Sequence, residues 1–163
     1  MDKGTVHIYC GKGKGKTTAA IGQAIKAACE GRNVVIIEFL KAKEEDELGF
    51  LKRLEPEIKV FRFEKFQECF EDLPEEKKEE EILNMKNALN FARKVLVTGE
   101  CDVLILDEIL GILDEGVISA EELCAIITQA RQAQIQLILT GTIYPQCLDA
   151  YVDEVTRLQT RYE

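Results

Sequence analysis

Short apolar runs alternate with longer segments whose apolar residues recur every three or four positions, and this rhythm holds along the chain. Thr5 to Cys10 reads as a first strand. Lys16 to Glu30 reads as a helix, because Ile21, Ala24, Ile25 and Ala28 share one face and Gly31 is placed to close it. Between Asn33 and Leu40, the run Val34-Val35-Ile36-Ile37 is continuously apolar, as in a strand covered on both faces. A polar helix is expected around Glu44 to Leu54, a strand from Ile58 to Phe63, and irregular chain over 64–75.

Pro74 suits the first turn of a long helix reaching about Val97, with Ile82, Met85, Leu89 and Leu96 as its buried stripe and Gly99 as its stop. The charge run Glu75 to Glu81 falls at that helix start, where carboxylates suit the helix dipole, and reads as a solvated face. Val103 to Leu106 is a buried strand that runs into Asp107-Glu108. Ser119-Ala120-Glu121-Glu122 has capping-box spacing and opens a helix with Leu123, Ile126, Ile127 and Ala130 on one side. Ile135 to Leu139 gives a further strand, a short helix follows Pro145, and Val152 to Leu158 gives an edge strand.

Such alternation predicts an α/β three-layer fold, a mostly parallel central sheet with helices on both faces, formed as one domain over 1–163. Ligands of these sheets bind beyond the C-terminal ends of the strands. Three polar clusters are expected there: residues 10–18, 107–108 and 140–142.

Composition narrows the functional classes. Apolar residues are 46% and charged residues 31% of 163, which supports a packed core and argues against disorder. The formal charge of −9 argues against a nucleic-acid binder with a broad basic face, though not against a small anionic ligand. No stretch reaches the ~18–20 apolar residues of a membrane span. The opening Met1-Asp2-Lys3-Gly4 carries no leader pattern, so a cytoplasmic protein is expected. The six cysteines are scattered without a C-x-x-C pair, which removes zinc-site and disulfide-scaffold readings and predicts mostly buried thiols. The single histidine, His7, lies in an apolar run and reads as a strand residue, so Ser-His-Asp and Cys-His mechanisms are disfavoured.

Cys10-Gly11-Lys12-Gly13-Lys14-Gly15-Lys16-Thr17-Thr18 lies between a predicted strand and a predicted helix, the setting a P-loop requires. Glycines allow tight turns that aim N–H groups inward, and the helix N-terminus adds positive potential. Lys16 is the candidate to reach phosphate oxygens, and the Thr17 hydroxyl is a candidate Mg²⁺ ligand. The usual pattern, G-x-x-x-x-G-K-[ST], is broken only at its first position, which is Cys10. Asp107-Glu108 supplies acids at the end of a buried strand, where one can hold Mg²⁺ and the other can polarise water, complete the metal shell or orient substrate. Thr140-Gly141-Thr142 is a further candidate phosphate contact.

These residues resemble the ATP:corrinoid adenosyltransferases of the CobA/BtuR type over roughly 3–161. The stretch Gly11 to Ala20 carries the match most specifically, and that family also lacks glycine at the position of Cys10. Gly31, Phe39-Leu40-Lys41, Leu106-Asp107-Glu108, Gly116, Thr140-Gly141, Pro145, Leu148 and the Asp153-x-Val155-Thr156 segment agree as well. The resemblance implies a P-loop NTPase-like (RecA-like) fold, often a homodimer. It implies transfer of the 5′-deoxyadenosyl group of ATP to the cobalt of a reduced corrinoid, with triphosphate released and a reductant protein as a partner. By position, residues Gly11, Lys12, Gly13, Lys14, Gly15, Lys16, Thr17 and Thr18 would cradle the triphosphate. Thr17 and Glu108, with Asp107 as a further candidate, would hold Mg²⁺, Lys16 and Glu108 would serve catalysis, and Phe66 would face the corrinoid.

Several positions depart from the family pattern. Lys12 stands where Asn or Asp is usual, Glu38 where Gln is usual, Thr142 where arginine follows Thr-Gly, and Arg157 where an acid follows Val-Thr. Arg161 and Tyr162 stand at a Lys-His pair, and the chain ends without the usual C-terminal extension. Two other functional classes fit the P-loop and acid pair: a P-loop ATPase or small-molecule kinase, and a non-catalytic ATP-binding regulator. Reaction products separate the three.

Overall fold

A computed structural model of the chain describes residues 3–40, 50–63 and 68–162. Its strands are β1 (Val6–Cys10), β2 (Val34–Glu38), β3 (Ile58–Arg62), β4 (Val103–Asp107), β5 (Gln136–Gly141) and β6 (Glu154–Arg157). They form one sheet in the order β3-β2-β4-β5-β1-β6, and each neighbouring pair is parallel. The helices are α1 (Lys16–Cys29), α2 (Glu75–Thr98), α3 (Ile109–Asp114) and α4 (Ala120–Gln132).

Alternating strand side chains feed two apolar layers. On one face, Ile36, Ile105 and Ile138 pack with Ala20, Ala24 and Ala27 of α1, whose small side chains let that helix lie close to the sheet. On the other face, Ile37, Leu104, Leu106 and Leu139 pack with Met85, Leu89 and Leu96 of α2 and with Leu123, Ile126 and Ile127 of α4. This is the three-layer α/β arrangement that the sequence rhythm predicts.

The order of strands matters for the site. β5 lies between β1 and β4, so the turn after β1 and the acidic end of β4 flank the tip of β5. Gly31 and Gly99, with φ of 79° and 66°, end α1 and α2 in the left-handed conformation their positions suggested. Ser119 and Glu122 form the reciprocal capping box of α4.

Some boundaries differ from expectation. β5 runs to Gly141 and β6 spans only Glu154–Arg157. Pro74 is the N-cap of α2 and not a residue of its first turn. Most of the polar helix expected around Glu44 to Leu54 lies outside the described residues, and Lys52–Leu54 forms a single 3₁₀ turn. Phe70–Asp72 forms another within the stretch read as irregular. α3 has no counterpart in the sequence reading: six residues, mostly apolar, are too short to show a helical period. The expectation of mostly buried thiols fails: Cys10 and Cys101 are buried, Cys124 is half-buried, and Cys29, Cys69 and Cys147 are exposed at helix ends and loops. Among the described residues no helix is long and apolar enough to cross a membrane.

Candidate active site

The turn after β1 is shaped by glycines that no other residue could replace. Gly11 and Gly15 have φ of 113° and 99°. A Cβ on Gly11 would lie 2.5 Å from the Leu158 carbonyl oxygen, and one on Gly13 would lie 2.6 Å from the same carbonyl group. The close approach comes from the segment after β6, which runs along the loop. Leu158 N–H donates to the Cys10 carbonyl at 2.8 Å, Gly13 N–H to the Leu158 carbonyl at 2.9 Å, and Lys14 N–H to Thr160 Oγ1 at 2.7 Å. On the other flank, Gly11 N–H donates to the Thr142 carbonyl at 3.0 Å.

Lys16 opens α1 immediately after Gly15, the N-cap. Its ammonium donates to the carbonyls of Gly11 and Gly13, at 2.8 and 3.1 Å, and so spans the loop. Lys12, Lys14 and Thr18 are exposed around it.

The acid pair divides between two directions. Asp107 turns toward α1 and is buried, 4% exposed. Thr17 Oγ1 donates toward its two carboxylate oxygens at 3.0 and 3.2 Å, and Thr140 Oγ1 donates to Oδ1 at 2.7 Å. Burial pushes the Asp107 carboxyl above its ordinary value, while the two threonine hydrogen bonds and the nearby Lys16 pull it down. Glu108 has a left-handed backbone, φ 62°, held by its N–H donating to the same Thr140 hydroxyl at 2.8 Å. A Cβ added to Gly111 would meet both Leu40 Cδ1 at 2.6 Å and Glu108 Oε2 at 3.3 Å, so the Glu108 carboxylate lies over the start of α3.

A second charged pair stands one strand further out. Glu38 is registered with Asp107 across β2 and β4 and with Arg62 across β2 and β3. It is 2% exposed, and Arg62 Nε meets its carboxylate at 2.8 Å. The glutamate that departs from the family pattern thus has a cation from the neighbouring strand.

Two cavities open at this end of the sheet. One, about 720 Å³, adjoins the loop and is lined by Lys12, Lys14, Tyr144, Arg157 and Tyr162 among others. The other, about 240 Å³, lies against Phe39, Leu40, Phe70, Met85 and the acids Glu81 and Glu115.

The structure therefore brings residues 11–18, Asp107, Glu108 and Thr140 to one end of the sheet, as their separate positions in sequence suggested. Phe66 lies outside the described residues. The sequence offers the turn Thr140-Gly141-Thr142 as a phosphate contact; within it the Thr140 hydroxyl donates to the Asp107 carboxylate and accepts from the Glu108 backbone N–H. Arg62 was missed, since nothing local marks a strand-end arginine as the partner of Glu38. Among the described residues no group of three or more His, Cys, Asp or Glu side chains forms a metal cage. The oxygens of Thr17 and Asp107 are hard donors of the kind Mg²⁺ takes when substrate phosphates supply the remainder, so the residues present fit that ion.

Comparison with known proteins gives this arrangement a context. A family model described as ATP:corrinoid adenosyltransferase BtuR/CobO/CobP matches residues 2–162. A corrinoid adenosyltransferase of Escherichia coli K12 is 26% identical over 140 residues, covering 86% of this chain and 68% of that protein. One of Pseudomonas aeruginosa PAO1 is 27% identical over 160 residues, covering 96% and 75%. An uncharacterized protein of Nostoc sp. PCC 7120 is 29% identical over 161 residues, and the chain spans only 41% of its length.

Proposed function

The chain belongs to the ATP:corrinoid adenosyltransferase family, and from that premise we propose that it transfers the 5′-deoxyadenosyl group of Mg-ATP to the cobalt of a reduced corrinoid. In this reaction cobalt(I) supplies an electron pair to C5′ of ATP. A cobalt–carbon bond forms, the C5′–oxygen bond breaks, cobalt becomes cobalt(III), and the bond pair leaves with inorganic triphosphate. The observation that carries the reading is the junction of the phosphate loop with the acidic strand end, through Thr17, Asp107 and Thr140.

The demands on the protein follow from that chemistry. The acceptor is itself a strong nucleophile, so no side-chain nucleophile or histidine base is called for. The chain must hold C5′ in line with cobalt, which converts an encounter into an oriented reaction. It must also stabilise charge that grows on the departing triphosphate. Gly11, Gly13 and Lys14 direct their N–H groups to Thr142, Leu158 and Thr160, so within residues 11–18 the first turn of α1 supplies the backbone N–H groups and Lys16 supplies the ammonium. Bound Mg²⁺, held by Thr17 and Asp107, would neutralise phosphate charge as a Lewis acid. Glu108, whose carboxylate lies beside Gly111, is assigned to positioning on the acceptor side, with Leu40, which lines the small cavity, packed at the same glycine. A homodimer, a protein reductant that generates cobalt(I), and a cytoplasmic location complete the proposal.

The test is an anaerobic turnover assay with Mg-ATP and chemically reduced cob(I)alamin, quantifying adenosylcobalamin and triphosphate together. Equimolar formation of both is expected. Phosphate or ADP without adenosylcobalamin would replace this reading with an ATPase or kinase. Nucleotide binding with no product would replace it with a regulator. In the same assay Lys16→Ala is expected to raise the KM for ATP at least tenfold, since its ammonium spans the phosphate loop.

A further inference from the structure

The larger cavity carries charge that the metal-side geometry does not use. Lys12, Lys14 and Arg157 line it, and none of its described lining residues is acidic, although the chain has 30 acids against 21 lysines and arginines. Arg157 ends β6 in register with Cys10, the last residue of β1, so it stands one strand away from the start of the phosphate loop. Its guanidinium carbon lies 5.6 Å from the centroid of the Tyr144 ring, which gives it a platform. The Tyr144 hydroxyl is tied in turn to Asp149. Lys14 Nζ stands 5.6 Å from the centroid of the Tyr162 ring, another lining residue. The field of Arg157 reaches the loop: with Lys16, it draws the Cys10 thiol down against the larger upward effect of burial.

Three like charges at one cleft repel one another unless an anion answers them. A single phosphate is already served by Lys16 and the start of α1. Further cations along the open flank of the loop suit an anion that extends beyond one phosphate group.

We infer that Arg157, with Lys12 and Lys14, forms a second anion subsite beside the phosphate loop that holds a polyphosphate chain as it leaves the loop. The inference rests on the proposed function for its biological ligand but not for its chemistry. Free triphosphate and the chain of an intact nucleotide share that chemistry, and the binding arms below separate them.

The experiment is calorimetric titration with inorganic tripolyphosphate, Mg-ATP and inorganic monophosphate in turn, on the wild-type chain, Arg157→Ala and Arg157→Lys. Arg157 is exposed, so both variants should keep the wild-type melting temperature, and Arg157→Gln replaces the alanine variant if β6 is disturbed. Arg157→Ala is expected to weaken tripolyphosphate about tenfold and to flatten its salt dependence. Arg157→Lys should recover part of the loss, and monophosphate should bind unchanged. An equal loss for Mg-ATP identifies the intact nucleotide as occupant, and a loss for tripolyphosphate alone identifies the leaving group. Tripolyphosphate affinity within twofold of wild type in Arg157→Ala overturns the inference, as does an equal loss of monophosphate. If no adenosylcobalamin forms but the Arg157 dependence persists, the subsite stands and the transferase reading falls. Turnover with Arg157-independent binding gives the reverse.

Discussion

Thr140 holds two acids with one hydroxyl. It donates to Asp107 Oδ1 and accepts from the N–H of Glu108, and it is wholly buried. Thr140→Val keeps the shape and removes both bonds, leaving the buried Asp107 carboxylate to Thr17 alone and taking the hydroxyl acceptor from the Glu108 N–H. A stability loss of about 1–3 kcal/mol is expected, read by denaturant unfolding. The midpoint of Mg²⁺ activation should rise as well, because the Asp107 carboxylate is then held by Thr17 alone. Thr140→Ser should restore the Mg²⁺ midpoint, and a serine variant as impaired as valine would show that packing, not the hydroxyl, matters. Asp107 itself invites a trade-off. Burial raises its folded carboxyl above the ordinary value, so the native state binds more protons than the unfolded chain between the two values. Its ionisation therefore costs stability as pH rises through that window. Asp107→Asn should melt a few degrees higher at neutral pH, roughly 1 kcal/mol for a chain of this size, while Mg-dependent turnover is lost. A lower melting point at neutral pH would mean that the charge is fully compensated in the fold.

Elements were legible where their signals are local. Ser119 and Glu122 announce a helix start because both partners of the capping box lie within one turn. Ser119→Ala should cost about 1 kcal/mol and lower the melting temperature by roughly 2–4 °C, measured by thermal denaturation. An unchanged melting temperature would mean the box is replaced by water. The apolar runs of β2 and β4 and the glycine stops of α1 and α2 were legible for the same reason. What was not legible depends on strand order. Glu38 and Arg62 are 24 positions apart in sequence and meet only because β3 lies beside β2. Thr142 and Arg157 look like unrelated departures in the sequence, yet they line one cavity from either side of β1. The left-handed Glu108 and the short α3 behind it likewise left no periodic trace, since both follow from how β4 ends against β5. The phosphate loop was legible as a motif, but the segment 158–160 laid along it was not, because that contact joins the two ends of the chain.

At the scale of the whole molecule, the fold sorts five of the six thiols into two classes that sequence could not separate, with Cys124 half-buried between them. Cys10 ends the β1 strand beneath the phosphate loop, and Cys101 lies just ahead of β4; both are buried. Reaction with a maleimide or disulfide reagent needs both access and a thiolate. Burial raises the Cys10 thiol and pushes Cys101 up to about 12, with the neighbouring Asp102 and Glu100 adding to the second shift. At pH 8 only about one Cys101 in ten thousand would be ionised even if a reagent could reach it. Cys29, Cys69 and Cys147 lie in water. Brief labelling of the native chain at pH 8, followed by peptide mass spectrometry, is therefore expected to modify these three and leave Cys10 and Cys101 intact until denaturant is added. Because Cys10 and Cys101 sit at opposite ends of parallel strands, their protection tests both ends of the sheet at once. Native labelling of Cys101 alone would mean that the end of the sheet where β4 begins opens locally. Labelling of Cys10 alone would mean that the segment after β6 leaves the phosphate loop, which would make that contact a reversible one.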